Sequence, residues 1–315
     1  MNLTAPLATL AAIDIGSNAI RLEIANGYER GRLTWVHEER DPVRPGEGAF
    51  HSGMIGEEVA TRIVAVLKHY AVICGQHQAT VRAVATSAVR EARNREDLIS
   101  RIHRETGLVV EAISGEEEAR LMCLGILSDR PASTRALCLD IGGGSTEIAI
   151  AEGSIPIRTH SMPLGSVRLT EHFRCLGHIS REQLGQMRTY AAEVTAAHIP
   201  LDGRDLPDVG LGSSGSIRGI VGAAAYHHAR EATTDQIAHA VDKLAAMDPD
   251  ERRRVFDTKR AEVIVAGAVI LETVAKHLRL RKVVAVKRGL RHGVLIDLLR
   301  REERRLRPEM EGKQK

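Results

Sequence analysis

Leu137-Cys138-Leu139-Asp140-Ile141-Gly142-Gly143-Gly144-Ser145-Thr146-Glu147-Ile148-Ala149-Ile150 is the stretch from which the fold can be read. An apolar run reads as a buried strand ending at Asp140, three glycines and two hydroxyl residues make a turn, and an alternating run leaves it. Consecutive glycines reach backbone conformations closed to other residues, so several N–H groups can point into one concavity and cradle an anion. Ser145 and Thr146 add hydroxyl donors. Asp140 and Glu147 flank the loop with hard oxygens, the ligand type that Mg²⁺ takes when it sits against a polyphosphate. Taken alone, the segment is also explained by a β-hairpin with a flexible turn.

A second copy of the pattern alters that balance. Ala11-Ala12-Ile13-Asp14-Ile15-Gly16-Ser17-Asn18-Ala19-Ile20-Arg21-Leu22-Glu23-Ile24 repeats the order of apolar strand, Asp, Gly turn and alternating strand. Asp14 and Asp140 are 126 residues apart, about the length of one small domain. Two such units, each opening about half of the chain, imply a duplicated fold whose phosphate loops face each other across a cleft. Asp14 is then the counterpart of Asp140 as a metal ligand. It is the weaker candidate, because no acid stands in its loop at the place of Glu147.

Between and after these units the elements alternate. From Asp14 to about Val36 the chain reads as strand–turn–strand, with Arg21 and Glu23 on a wet face opposite Ile20, Leu22 and Ile24. Residues 41–53 read as loop, 57–74 as a helix, 80–85 as a strand delivering Thr86-Ser87-Ala88-Val89-Arg90, 94–106 as a helix and 108–113 as a strand. Gly115 to Leu127 reads as a helix capped by Ser114, with Glu117 as capping-box partner. Ser128–Arg135 is the linker, dividing the chain into domains 1–128 and 129–315. Beyond the second loop come a strand at 155–162, a turn at Gly165 and a helical region through Ala197. Asp205–Leu211 then leads into Gly212-Ser213-Ser214-Gly215-Ser216. Helices at 234–246, 250–258 and 262–277, a strand at 283–286 and a helix from Val294 complete the chain, the last helix being free to pack back on the first domain.

Composition sets limits on function. With 315 residues, 43% hydrophobic and 27% charged, the chain has the profile of a soluble globular protein of two ordinary domains, expected in the cytoplasm. No apolar run approaches the roughly 18 to 20 residues needed to span a bilayer. The four cysteines show no C-x-x-C spacing and read as reduced, buried small hydrophobes. Among 14 histidines only His227-His228 are adjacent, which gives no zinc signature. From residue 251 onward there are 19 Lys and Arg against 9 Asp and Glu, whereas the rest carries 25 against 32. A basic C-terminal region attracts polyanions at long range.

Hydrolysis of a phosphoanhydride requires donors for the phosphoryl oxygens and a positioned water. Gly16, Ser17 and Asn18 supply donors on one side, and Gly142, Gly143, Gly144, Ser145 and Thr146 on the other. Arg90 is the candidate guanidinium fork for phosphate, with a salt bridge to Glu91 or Asp97 as its structural alternative. Gly215 lies in a third glycine loop, which could equally be a helix cap.

These residues carry a family resemblance over nearly the whole chain. Asp14–Asn18, Thr86–Ala92, Ile113–Leu121, Asp140–Glu147, Pro163–Leu169, Gly212–Ile217 and Gly289–Gly293 resemble the exopolyphosphatase/guanosine pentaphosphate phosphohydrolase (Ppx/GppA) family. The string Ser114-Gly115-Glu116-Glu117-Glu118-Ala119-Arg120-Leu121 is its most specific segment. The resemblance implies two tandem ribonuclease H-like α/β domains of the actin, sugar-kinase and heat-shock ATPase superfamily, with an interdomain cleft. It implies a Mg²⁺-dependent exopolyphosphatase releasing orthophosphate. A pppGpp 5′-phosphohydrolase and a non-catalytic sensor are the alternatives, and neither nucleic acid nor a membrane is a partner. A homodimer stays open. The resemblance also selects Glu118 as the catalytic glutamate: Glu116, Glu117 and Glu118 project about 100° apart on a helix, so one of them faces the cleft. Arg120 is left a structural role. Two departures bear on substrate preference: Ala19 replaces a usual serine, and His292 a common glutamate. With aromatic residues at 3% and Trp35 the only tryptophan, stacking a guanine base looks hard to arrange.

The register of the three glutamates is directly testable. Glu118→Gln should lower kcat by at least about 10²-fold, the scale of lost general-base assistance, in a protein that still folds. Near-normal turnover in that variant, with Glu117→Gln inactive, would identify the neighbouring carboxylate instead.

Overall fold

The computed structural model describes residues 6–131, 135–153, 155–200, 206–225 and 230–312. Residues 132–134 of the expected linker, Asp205 and the pair His227-His228 lie outside them. Two mixed sheets carry the fold. The first contains β1 (Ala8–Ile15), β2 (Ile20–Tyr28), β3 (Arg32–Asp41), β4 (Thr80–Ala85) and β5 (Val110–Ala112), in the order β3-β2-β1-β4-β5. The second contains β6 (Arg135–Ile141), β7 (Thr146–Glu152), β8 (Ile155–Met162), β9 (Val209–Gly212), β10 (Glu231–Thr233) and β11 (Lys282–Ala285), in the order β10-β11-β9-β6-β7-β8. Each sheet is an antiparallel three-strand meander extended by two parallel strands on the side of its first strand, and the second sheet adds β10 antiparallel at its edge. The duplication read from the two Asp–Gly turns is thus a duplication of topology.

Strand parity explains how the sheets are covered. In β1, Ala11, Ile13 and Ile15 face the helices Glu57–Gln76 and Arg95–Thr106, while Leu10 and Ala12 face the helix Leu290–Gly312. In β6, Leu137, Leu139 and Ile141 face the main core of the second half, whereas Ala136 and Cys138 face the helix Gly115–Leu127. Buried on both faces, these central strands read as continuous apolar runs. The helix Gly115–Leu127 therefore packs on the second sheet, and the last helix packs on the first. The two helices meet between the sheets. Asp14 and Asp140, on the even positions of β1 and β6, share that inner side and emerge where the strands end.

The contact between these two helices is backbone against backbone. A Cβ on Gly293 would fall on the carbonyl oxygen of Leu121, and one on Gly125 would fall on the carbonyl oxygen of Gly289. A charge network seals the same junction. Arg82, 5% exposed, donates to Glu111, Glu117 and Asp297, and Arg120 donates to Glu117 and Asp297. This is the structural role expected for Arg120.

Several sequence expectations are corrected. The capping box at Ser114 forms only by half: its hydroxyl accepts from the Glu117 N–H, but the Glu117 carboxylate is taken by Arg120 and Arg82. β3 runs on to Asp41, and the segment after it contains a helical turn, Ala49–Ser52. The helical region after Gly165 is two helices, Ser166–Phe173 and Arg181–His198. The helix expected at 250–258 is Pro249–Val255, started by a capping box at Asp248, and a separate turn, Thr258–Ala261, follows. The last helix begins at Leu290, which places Arg291 and His292 in its first turn. All four cysteines are buried and unpaired. Among the described residues no helix is long and apolar enough to cross a membrane.

Gly293→Ala should destabilise the protein by about 3 kcal/mol or more, since the clash is with backbone that cannot rotate away. Gly185→Ala, in the exposed middle of a helix with open space around it, should instead stabilise by about 0.5–1 kcal/mol. Urea unfolding of both variants checks the pair. Equal and small effects would mean that the helix junction has room.

Candidate active site

Both glycine turns are closed in the same way. The Gly16 N–H donates to the Ala19 carbonyl at 3.2 Å, and the Gly142 N–H donates to the Ser145 carbonyl at 2.9 Å. Strand register places Asp14 opposite Arg21 in the first half and Asp140 opposite Glu147 in the second. The position without an acid thus holds a guanidinium. The two turns face one cavity of about 690 Å³. Its wall includes Asp14, Gly16, Ser17 and Asn18 from the first turn and Asp140, Gly142, Gly143 and Ser145 from the second. Thr86 and Ser87 after β4, Glu118, and Ser213–Ser216 after β9 also line it. The third glycine loop is also a helix cap, because the Ser214 hydroxyl accepts from the Ile217 N–H at 3.0 Å. Gly215 both lines the cavity and opens that helix.

Glu118 is the one carboxylate of its trio on the cavity wall. It is 8% exposed, and Arg90 donates to its Oε2 at 2.8 Å while also reaching the Ile113 carbonyl. Burial pushes the Glu118 carboxyl up to about 7, the Arg90 charge opposing this and the charges of Asp14 and Asp140 adding to it. Burial also raises Asp140, to about 6, and Asp14. Glu147 is raised well above the usual carboxylate range by its own burial and by Glu118. Four carboxylates are thus held in one poorly solvated region.

Two buried oxygens on this wall, Asp14 Oδ1 and Asn18 Oδ1, have no hydrogen-bond partner among the described residues. An all-oxygen donor set with unfilled acceptors fits a hard divalent cation and the waters it keeps. Among the described residues no three carboxylates form a metal cage by themselves. Such an ion would complete its shell from water and phosphate, as Mg²⁺ commonly does.

The same wall is rich in cations, with Arg21, Arg40, Arg218, Arg260, Lys287 and Arg288 among its residues. Burial lowers Arg21 to about 10, so it remains charged. Arg291, part of the basic C-terminal region, is locked to Glu23 at 2.6 Å, with Asp14 and Glu38 within 4 Å. Trp35 is on the same wall, 49% exposed, with the His292 ring edge-on at 4.9 Å. Burial drops His292 to about 4, which makes it neutral where the family often has a negative charge.

Some expected residues are placed differently. Arg90 faces Glu118 rather than the cavity, and Glu91, its alternative partner, pairs with Arg168. The Thr146 hydroxyl donates to the Leu164 carbonyl, and Gly144 packs against Phe50 and Ser87. Glu147 is 1% exposed, receives a bond from Ser161 and lies behind the wall. Sequence reasoning passed over Ser87, bonded to Ser17 at 2.8 Å, and the arginines at 21, 40, 218 and 260. Arg21 had a signal: it alternates with core residues, and the face called wet is the cleft.

Two tandem α/β domains, their glycine turns and acids directed at one cavity, define an enzyme that works on phosphoanhydrides. The chain belongs to the Ppx/GppA phosphatase family, whose match covers residues 24–302. It is 33% identical to exopolyphosphatase 2 of Mycobacterium tuberculosis over 87% of this chain and 92% of that protein. It is 30% identical to exopolyphosphatase 1 of Mycobacterium leprae over 92% and 89%. An exopolyphosphatase structure from Cytophaga hutchinsonii aligns with a TM-score of 0.83 at 27% identity, covering 92% of this chain and 97% of that one. The Aquifex aeolicus member of the Ppx/GppA family aligns at 0.77 and 28%, covering 94% and 98%.

The raised carboxyls make a stability prediction. A carboxyl whose folded pKa exceeds its unfolded value binds protons preferentially in the folded state, so stability falls as pH rises between the two values. For Asp140 that window runs from about 4 to about 6. In chelator, Asp140→Asn should therefore melt higher than the unmodified protein at pH 8, with the difference shrinking toward pH 4. A difference independent of pH would show that Asp140 ionises without cost.

Proposed function

We propose that the chain removes terminal phosphates from inorganic polyphosphate, short chains included, as orthophosphate. The observation that carries this reading is the single cavity that joins two glycine turns and Glu118 to six cationic side chains. Backbone N–H groups of the turns and the hydroxyls of Ser17 and Ser145 hold the terminal phosphoryl oxygens. The following phosphates run toward Arg218, Arg260, Lys287 and Arg288. Arg90 fixes one oxygen of Glu118, and the other takes a proton from the attacking water. A carboxylate titrating near 7 is well matched to that task. The new P–O bond forms as the bridging P–O bond breaks, and the shortened chain departs as an oxyanion. Asp14 and Asp140 would hold Mg²⁺, with Glu147 supporting from behind; the ion supplies charge neutralisation of the phosphoryl oxygens when bound.

Trp35 favours a second reading. A half-exposed indole on the wall has no use for phosphate, but it offers a face to a guanine base, so pppGpp 5′-phosphohydrolysis is the runner-up. The low aromatic content of the chain argued against base stacking, and the location of its one tryptophan weakens that argument.

Phosphate release from tripolyphosphate, long polyphosphate, pppGpp and ATP, with and without Mg²⁺, separates the readings. Polyphosphate should be preferred by kcat/KM, with a KM that rises with salt, because attraction between exposed charges is screened over about 8 Å at physiological ionic strength. Reversing Lys287 and Arg288 to Glu should raise KM more for the long chain than for tripolyphosphate. Preference for pppGpp, lost on Trp35→Ala, would install the runner-up.

A further inference from the structure

A second cavity, of about 780 Å³, lies between the two halves, with Phe50 and Arg168, which touch the second glycine turn, among its lining residues. One wall comes from the first half, through Arg44, Phe50 and His51, and the other from the second, through His172, Arg174 and Tyr190. Its chemistry differs from that of the active site. The His172 and Tyr190 rings stack at 4.6 Å, with Leu176 exposed nearby. The Arg174 guanidinium has no ion pair or hydrogen bond among the described residues. Two buried atoms on the lining residues are also without partners there: Arg44 Nε, a donor, and Glu171 Oε2, an acceptor. The remaining Glu171 oxygen is taken by the Gly48 N–H, and Arg44 otherwise pairs with Glu262.

A flat ring, an anionic group, a donor and an acceptor would satisfy these groups together. That set belongs to a nucleotide: the base stacks on the His172–Tyr190 pair, the phosphate meets Arg174, and sugar or base polar groups meet Glu171 and Arg44. The lining also touches the catalytic loops. Phe50 packs on Gly144 and lies under the Arg168 guanidinium at 4.2 Å. Arg168 donates to the Gly144 carbonyl at 2.7 Å and to Glu91, the residue after Arg90. The Gly46 N–H donates to the Ser17 carbonyl at 2.8 Å. Phe50 and Arg168 thus connect this cavity to the second glycine turn. We infer that this cavity is an effector site for a nucleoside monophosphate, and that its occupancy changes turnover in the neighbouring active site.

AMP and GMP are suitable probes, since neither has an anhydride to hydrolyse. With the full chain, calorimetry should show one saturable site for at least one of them, with a Kd below about 1 mM. The same nucleotide should change kcat/KM for tripolyphosphate by about fivefold or more, the scale of an ordinary coupling between sites. Arg174→Glu and Tyr190→Ala should each weaken nucleotide binding at least about tenfold while leaving basal tripolyphosphate hydrolysis unchanged. Absence of binding by both nucleotides at about 5 mM, a range covering any useful millimolar affinity, overturns the proposal. So does binding that survives both substitutions and competes with tripolyphosphate, which would place the nucleotide in the active site. Binding without a change in turnover overturns the effector role. Basal hydrolysis is read in the same assay, so failure of this site is distinguishable from failure of the polyphosphatase reading.

Discussion

The close approach of two helices at Gly125 and Gly293 is the constraint on which the rest of the molecule depends. Each half of the chain sends a helix onto the sheet of the other half, and the two helices pass between the sheets with backbone touching backbone. Side chains at these points would push the sheets apart. With glycine there, the ends of β1 and β6 converge, and their aspartates open onto one cavity rather than two. The Arg82–Glu117–Arg120–Asp297 network holds the helices in rotation about that point. One consequence reaches the chemistry: with Glu117 spent on these arginines, the next residue along the helix, Glu118, is the one presented to the cavity.

The site concentrates unfavourable terms that a ligand would relieve. Asp14, Glu118 and Glu147 are buried and Asp140 is half-buried, and all four are raised in pKa and mutually repulsive. Facing them are guanidiniums and backbone N–H groups placed for oxygens that the protein does not itself contain. A folded chain tolerates this only because two large apolar cores surround the cleft. Strain of this electrostatic kind is what prepares a site for a polyanion and its counterion, since binding neutralises both sets of charges at once.

The two halves of the duplication have diverged within one topology. Asp14 and Asp140 occupy equivalent strand positions, yet the partner across the hairpin is Arg21 in one half and Glu147 in the other. The first half therefore sets a cation on the cavity wall beside its aspartate, whereas the second sets a buried acid behind its own. A cleft between identical halves would be symmetric, and this one is not.

What the sequence by itself determined was local and periodic. The two Asp–Gly turns, the strand parity around them and the helix at Gly115–Leu127 are short-range patterns, and each was legible because neighbouring residues determine it. The spacing of Glu116, Glu117 and Glu118 also showed that one of them faces the cleft, although family register was needed to select it. Tertiary structure decided which side chains meet across long separations. Arg90 faces Glu118 across 28 residues, and Arg291 is neutralised by Glu23 across 268. Trp35 reaches the cavity because β3 is an edge of the first sheet and His292 begins a helix from the other end of the chain. Pairings of this kind depend on how two sheets and two crossing helices are stacked, and no local pattern encodes that packing.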